Sequence, residues 1–372
     1  MVYKIVSNNK PEQEARDPMV KLAVLPGDDI GPEITDATLT VLQAADAAFG
    51  LDLSIEVHEV GMSVHRQTGT TLPDHVLEAA RRADAVLLGP AGMTAYPPAS
   101  EGGINIPGTI RKQLDLYANI RPARSRPGVP MALPGLDCVI VRENTEGFYA
   151  DRNLFQGYGE FMPTPDVAIS LRLITAKASS RIARVAFDVA ETRRKHVTMV
   201  GKRHVMQVTD GLFMREVEKV AAEHPGVTLR EIDVDAIAAE LYLKPSAFDV
   251  IVTTNMFGDI LSNQVNALAG SLGLASALNV GDRHAAANAG HGSAPDIAGR
   301  GIANPCGLIL SAALLLRHVG TRTNDEAFAR AADAIEHSLD LALERPETRT
   351  GDLGGKLNTA EFAKIVSSRL RG

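Results

Sequence analysis

Tryptophan is absent from this chain and aromatic residues make up only 4% of it, so its core has to be built from aliphatic side chains. Cysteine is nearly absent too: Cys138 and Cys306 cannot form a disulfide framework. Both sit in apolar runs and read as buried, reduced and inert. No apolar stretch approaches the roughly 20 residues that cross a bilayer, and the polar start, Met1 to Pro18, lacks the apolar centre of a secretion signal. Positive charge is not in excess. The formal net charge of −7 leaves no basic footprint for nucleic acid. Neither a G-x-G-x-x-G fingerprint nor a phosphate loop with Gly-Lys-Ser/Thr occurs, and the Gly-Lys pair at 201–202 fails that pattern. These absences describe a cytoplasmic enzyme or binding protein. Met19 directly precedes the first strand-like run, so residues 1–18 read as an N-terminal extension.

What is present is an alternation. At 372 residues the chain exceeds what one core usually covers, so two lobes are expected. Strand patterns fall at 21–25, 53–60, 85–88, 138–141, 168–174, 197–200, 228–232 and 250–253. Helical patterns fall at 32–49, 73–83, 177–193, 205–222, 260–268, 307–319, 325–343 and 359–369. Such alternation predicts an α/β fold with helices covering a sheet. Loops rich in Gly, Pro and Asn are long at 89–107, 151–164 and 281–304, and long loops in a compact enzyme usually serve function.

The chemistry is carried by a few side chains. Arg111 and Arg121 lie in Thr109-Ile-Arg-Lys-Gln-Leu-Asp-Leu-Tyr-Ala-Asn-Ile-Arg-Pro122, and Arg142 ends a strand pattern. Guanidinium forks match carboxylates, and strand ends are where α/β sheets bind ligands. Surface ion pairing accounts equally well for any one arginine; the set fits a substrate with two or three carboxylates. Asp259 opens a helix after the strand at 250–253, and Asp233 and Asp235 follow another strand. Helix capping is the ordinary role for Asp259, but oxygen ligands of this kind also suit Mg²⁺ or Mn²⁺. Lys202 at a strand end and Tyr149 are candidate proton carriers, although such residues are more often a surface lysine and a half-buried tyrosine. The glycine loop Leu25-Pro-Gly-Asp-Asp-Ile-Gly-Pro32 reads equally as a tight turn or a ligand contact. The stretch from His291 to Asn304 is rich in small residues that permit close backbone approach to a flat ligand. An acid there can accept from a ribose 2′-hydroxyl and repel a 2′-phosphate.

Taken together, these motifs resemble the isocitrate and 3-isopropylmalate dehydrogenase family, whose β-decarboxylating members include homoisocitrate and D-malate/tartrate enzymes. The resemblance runs from about Met19 to the C-terminus and is most specific at 248–262 and 291–305. It implies an α/β two-domain fold that is not a Rossmann fold. Residues 19–116 and 270–372 would form a large domain with the NAD site, and residues 117–269 a small domain with the dimer interface. It implies a homodimer with shared active sites and oxidative decarboxylation of a 3-substituted malate, using NAD and Mg²⁺ or Mn²⁺. Arg111, Arg121 and Arg142 would bind substrate carboxylates, with Asn105 at the side-chain recognition position. Tyr149 and Lys202 would be catalytic, with Lys202 and Asp235 entering from the partner subunit. Asp235, Asp259 and Asn263 would ligate the metal. His291, Gly292, Ser293, Ala294, Pro295, Asp296, Ile297 and Asn304 would hold the cofactor, and Asp296 with Ile297 matches the NAD type.

The chain also departs from the family pattern. Asp29 stands where the family usually has Gly, Asn263 where it has a third Asp, and His204 where it often has Asn. Ala289 and Gly290 replace an acidic, Pro-containing approach to the histidine. The segment from Ile104 to Arg111 lacks the Glu and paired leucines of isopropylmalate enzymes, while 117–122 and 141–147 look like the isocitrate and homoisocitrate branches. The reading therefore leans to an isocitrate or homoisocitrate type. The alternatives are a 3-isopropylmalate or D-malate/tartrate enzyme, or a non-catalytic binding subunit motivated by Asn263 and His204. A kinase-like reading fails for want of a phosphate loop.

Overall fold

The structure, a computed structural model, describes residues 19–149 and 159–371. The expected extension at 1–18 and the first part of the 151–164 loop lie outside these residues.

Apolar strand patterns become the interior of one large sheet. β1 (Val20–Leu25) is flanked by β2 (Leu53–Val57) and β3 (Ala85–Leu88), all parallel. β3 pairs in parallel with β12 (Ala285–Ala289). Then come two antiparallel strands, β11 (Ser276–Val280) and β4 (Ala118–Arg124), and β4 is antiparallel in turn to β5 (Asp137–Glu143). Beyond β5 the sheet continues in parallel through β10 (Val250–Thr253), β8 (His196–Gly201) and β9 (Thr228–Asp233). The ten strands among the described residues thus form two parallel blocks of opposite direction, joined through β11 and β4. One block and β11 come from the two chain ends; β4 and the other block come from the middle. A separate hairpin, β6 (Glu160–Thr164) with β7 (Val167–Ser170), is exposed along its length.

Helices cover both faces, as parallel strands require. α1 (Gly31–Phe49), α9 (Cys306–Thr323), α10 (Glu326–Leu343) and α11 (Thr359–Ser367) share one core with α5 (Ala176–Glu191) and α6 (Thr209–Glu223). A second core joins β1 and β3 to α3 (Asp74–Arg82) and α4 (Ile106–Gln113). A third joins β5 and β10 to α7 (Val234–Leu243) and α8 (Asn255–Leu268). On α8 the apolar positions divide: Leu261 and Val265 are buried in this core, while Ile260 is 58% exposed. Cys138 and Cys306 are free and buried, and burial pushes the Cys138 thiol up to about 12, so both are inert. No helix among the described residues is long and apolar enough to cross a membrane.

Several elements depart from the sequence reading. β11 and β12 were hidden because their alanines and asparagines carry little strand signal; their small side chains let α9 settle closely, and a Cβ on Gly307 would stand 2.6 Å from the Ala275 carbonyl oxygen. β12 therefore crosses what read as a loop at 281–304. β4 contains Pro122, a strand-breaking signal, but Pro122 lies past the residues that pair with β11, so its missing N–H costs no rung there. The loop at 89–107 ends in α4, which Asn105 caps by accepting from the Gly108 N–H at 2.8 Å. α2 (Met62–Thr68) and α7 were also unforeseen, and α8 begins five residues before its apolar periodicity.

Candidate active site

Two arginines meet because β4 and β5 pair antiparallel, which sets Asn119 opposite Arg142 and leaves Arg121 two residues along. Both guanidiniums are almost wholly buried and turn toward the first turns of α8. Arg142 donates to Asn255 Oδ1 from Nε at 3.1 Å and Nη2 at 2.7 Å, and its Nη1 pairs with Asp259. Arg121 donates from Nη1 to Ser262 Oγ at 2.7 Å and to Asp259 Oδ1 at 3.2 Å, while Asn119 accepts from its Nε at 3.1 Å. A Cβ on Gly258 would stand 2.6 Å from Arg142 Cγ, so the arginine lies flat against a position only glycine can fill. Tyr149 completes the group: its hydroxyl accepts from Arg142 Nη2 at 2.9 Å and donates to Asp259 Oδ2 at 3.3 Å.

The electrostatics follow from burial and charge. Burial, then the neighbouring Arg142, lowers Arg121 to about 10, which leaves it cationic at neutral pH. Burial acts to raise the Asp259 carboxyl, but Arg142, Arg121 and Arg111 outweigh it and hold Asp259 below its usual range. Arg111, in the last turn of α4, thus acts on the same group. Three guanidiniums face one carboxylate, an excess of positive charge suited to a polyanion.

Lys202 stands apart from this cluster. It directly follows β8, and its ammonium bonds Asp233 Oδ2 at 3.2 Å and Asp235, with His204 Nδ1 3.2 Å from Asp233. The hydrogen bond to Asp235 is the largest influence raising Lys202 and, reciprocally, the largest one lowering Asp235. In one chain, then, the structure brings Arg121, Arg142, Tyr149 and Asp259 together and gathers Lys202, Asp233 and Asp235 into a second group.

The loop after β12 follows the composition that singled it out. Ala294 has φ 45°, and Gly299 and Gly301 also have positive φ. His291 Nδ1 bonds the Gly292 carbonyl at 3.0 Å, while Nε2 is buried with no partner. Burial keeps this ring below its ordinary pKa, so it is neutral and Nε2 can accept a hydrogen bond. Nothing lies within 4 Å of a Cβ built on Gly292, and Pro295 and Asp296 are exposed beside a half-buried Ile297. An orphaned acceptor, an open glycine and an exposed acid fit a dinucleotide. Ser293 gives its carbonyl to the Ile30 N–H at 3.1 Å, which ties the loop to the first glycine loop. Asn304 faces inward: its amide donates to Asp352 at 2.9 Å and accepts from the Cys306 N–H at 2.9 Å, so its visible work is to hold the loop's end.

The first glycine loop proves to be a clasp. Asp28 accepts from Met62 N at 2.8 Å, from Gly92 N at 3.0 Å and from the Tyr96 hydroxyl, fastening the 89–107 segment. Asn105, whose oxygen caps α4, keeps its amide nitrogen for donation. Among the described residues no three acids, histidines or cysteines cluster as a metal cage. Asp259 and Asn263 do share one face of α8 at i and i+4, and two oxygen donors there fit part of the shell of a hard divalent cation; Asp235 belongs to the lysine group.

Sequence reasoning missed Asn255 and Ser262, which hold the arginines, and Glu33, which accepts from Gly301 N at 3.0 Å and Ala303 N at 2.9 Å. It also missed Arg172 and Asp210. An acid in the first turn of α1 was the one available signal for Glu33; the others depend on tertiary contacts.

Buried guanidiniums gathered on one carboxylate, on a sheet of two opposed parallel blocks, match the class of the β-decarboxylating dehydrogenases. A family model described as isocitrate/isopropylmalate dehydrogenase matches residues 21–366. The chain is 41% identical over 353 residues to a 3-isopropylmalate dehydrogenase of Archaeoglobus fulgidus, covering 95% of this chain and 100% of that one. It is 42% identical over 353 residues to an isocitrate/homoisocitrate dehydrogenase of Thermus thermophilus, covering 94% and 98%. A crystal structure of isocitrate dehydrogenase from Methylococcus capsulatus matches with a TM-score of 0.84 at 37% identity, covering 95% of this chain and 100% of that chain. The chain belongs to the isocitrate/isopropylmalate dehydrogenase family.

Proposed function

We propose that the protein oxidises and decarboxylates isocitrate or homoisocitrate with NAD, as a homodimer whose chains share active sites. The observation that carries this reading is the separation of Lys202 and Asp235 from the Arg121, Arg142, Tyr149 and Asp259 group within one chain. A second copy that inserts the lysine group beside the arginine group gives one site both proton carriers. It also adds Asp235 to the two α8 oxygens.

In this reading Arg111, Arg121 and Arg142 bind the substrate carboxylates and fix the bond that breaks. Lys202 of the partner subunit accepts the C2 hydroxyl proton in its neutral amine form, with Asp235 given over to the cation. His291 to Ile297 would hold NAD, which would supply the hydride acceptor, and Asp259 and Asn263 with Asp235 of the partner subunit would hold a divalent cation, which would supply Lewis-acid polarisation of the substrate oxygens. Carbon dioxide leaves, and Tyr149 delivers a proton to C3, Arg142 Nη2 being placed to stabilise the phenolate that remains. A 2-hydroxy acid and NAD⁺ thus yield a 2-keto acid, CO₂ and NADH.

Asn105 supports the polar substrate: with its oxygen committed to the α4 cap, it offers N–H donors, which suit a carboxylate better than an isopropyl group. The exposed Asp296 supports NAD, since its charge opposes a 2′-phosphate. A cytoplasmic location belongs to the same reading, supported by two free thiols. NADH formation with Mg²⁺ or Mn²⁺ is to be compared across isocitrate, homoisocitrate, 3-isopropylmalate, D-malate and tartrate, with NADP as control. Preference for one of the first two supports the reading. A faster rate with 3-isopropylmalate moves the substrate to the other branch, and silence across the panel from folded dimer favours the non-catalytic subunit.

A further inference from the structure

Arg172 lies between β7 and Thr175, the cap of α5, with its side chain only 7% exposed. Its single guanidinium touches three pieces of the site. Nη1 pairs with Asp210 Oδ1 at 2.6 Å and donates to Thr209 Oγ1 at 3.1 Å. Asp210, fully buried, takes the backbone N–H of Lys202 on its other oxygen at 2.7 Å. Nη2 donates at 3.1 Å to Thr254 Oγ1, at the cap position of α8, the helix that carries Asn255 and Asp259. The guanidinium carbon stands 5.4 Å from the ring centroids of both Phe257 and Phe148, the latter next to Tyr149. One residue on, Leu173 exchanges both backbone hydrogen bonds with Gly147, at 2.9 and 3.0 Å.

A buried ion pair is a weak source of stability, because desolvation offsets most of its attraction, but it fixes one arrangement of the elements it joins. Arginine suits such a junction because its rigid fork serves several acceptors in fixed directions, whereas lysine is a point charge. Here those acceptors belong to the Lys202 segment on one side and the start of α8 on the other.

We infer that Arg172 is a positioning residue that couples the two half-sites each chain contributes, the Lys202 group and the Tyr149–arginine group. The inference rests on the shared-site reading above. If Lys202 serves the partner's site while Tyr149 serves its own, Arg172 is the mechanical link between two active sites.

Hybrid dimers test it. Lys202→Met and Tyr149→Phe chains are combined, so that each hybrid holds one competent site, with Lys202 from the Tyr149→Phe chain and Tyr149 from the Lys202→Met chain. Arg172→Lys is then added to either chain. On the Lys202-supplying chain it is expected to lower kcat about tenfold or more, with KM for the acid within about twofold; on the Tyr149-supplying chain it is expected to raise KM about fivefold. A response from one placement only, or from neither, overturns the coupling. An unmodified mixture that regains no activity defeats the shared-site reading, and the link between sites with it. Asp210→Asn guards against an Arg172→Lys chain that does not fold. It severs only the lysine side, so it is expected to lower kcat from the Lys202-supplying chain and to be silent from the other; silence from both overturns the inference.

Discussion

Asp29 occupies a left-handed backbone position, with φ 55°, in the turn that precedes α1. A non-glycine residue there costs roughly 1 kcal/mol. Asp29→Gly is expected to raise the free energy of urea unfolding by about 1 kcal/mol; an unchanged or lower value would show that the carboxylate offsets the strain. Glu146 gives a pH signature. Burial pushes it up to about 7 against hydrogen bonds from Thr175 that favour its carboxylate, and the nearby Glu143 adds to the rise. Its folded value stands above its ordinary 4.5, so its contribution to stability is complete below about 4.5 and is lost as pH rises through about 7. Glu146→Gln is expected to flatten the pH dependence of the urea midpoint across that window, and a slope identical to wild type would refute the assignment. If Tyr149 is the proposed proton donor, Tyr149→Phe is expected to lower kcat by roughly 100-fold and to leave KM nearly unchanged. A rise in KM with kcat preserved would mean that the hydroxyl binds substrate and carries no proton.

At the scale of elements, the sequence was legible wherever an apolar pattern matched its period. The strand at 85–88 and the one at 250–253 stand where the pattern put them, since strands buried on both faces read as unbroken aliphatic runs. It was illegible where packing overrides propensity. β12 is Ala-Ala-Ala-Asn-Ala, a strand chosen by its neighbours β3 and β11 and by α9 above it. α8 begins at Asn255 because its first turn is occupied with holding Arg142, so polar residues interrupt the periodic signal. The loop at 291–304 is a third case. Its composition was conspicuous, but what shapes it is Glu33 on α1, far away in sequence. Glu33→Ala is expected to raise KM for NAD several-fold with kcat retained; an effect confined to the acid substrate would detach α1 from the cofactor.

For the whole molecule, the chemistry-bearing residues were readable one by one, while their grouping came only with the family resemblance. Nothing in the spacing of Arg121, Arg142 and Asp259 states that two guanidiniums converge on one carboxylate oxygen; that follows from β4 running antiparallel to β5 with α8 packed across them. The same topology keeps Lys202 and Asp235 in a separate group, the arrangement on which the proposed sharing of sites between two copies of the chain rests. The proposed oxidative decarboxylation of a polar 3-substituted malate is tested most directly by following NADH and CO₂ together from the purified protein with Mg²⁺ and NAD. The expected result is one CO₂ per NADH, from isocitrate or homoisocitrate at least about tenfold faster than from 3-isopropylmalate. NADH without CO₂, or 3-isopropylmalate as the better substrate, would contradict it.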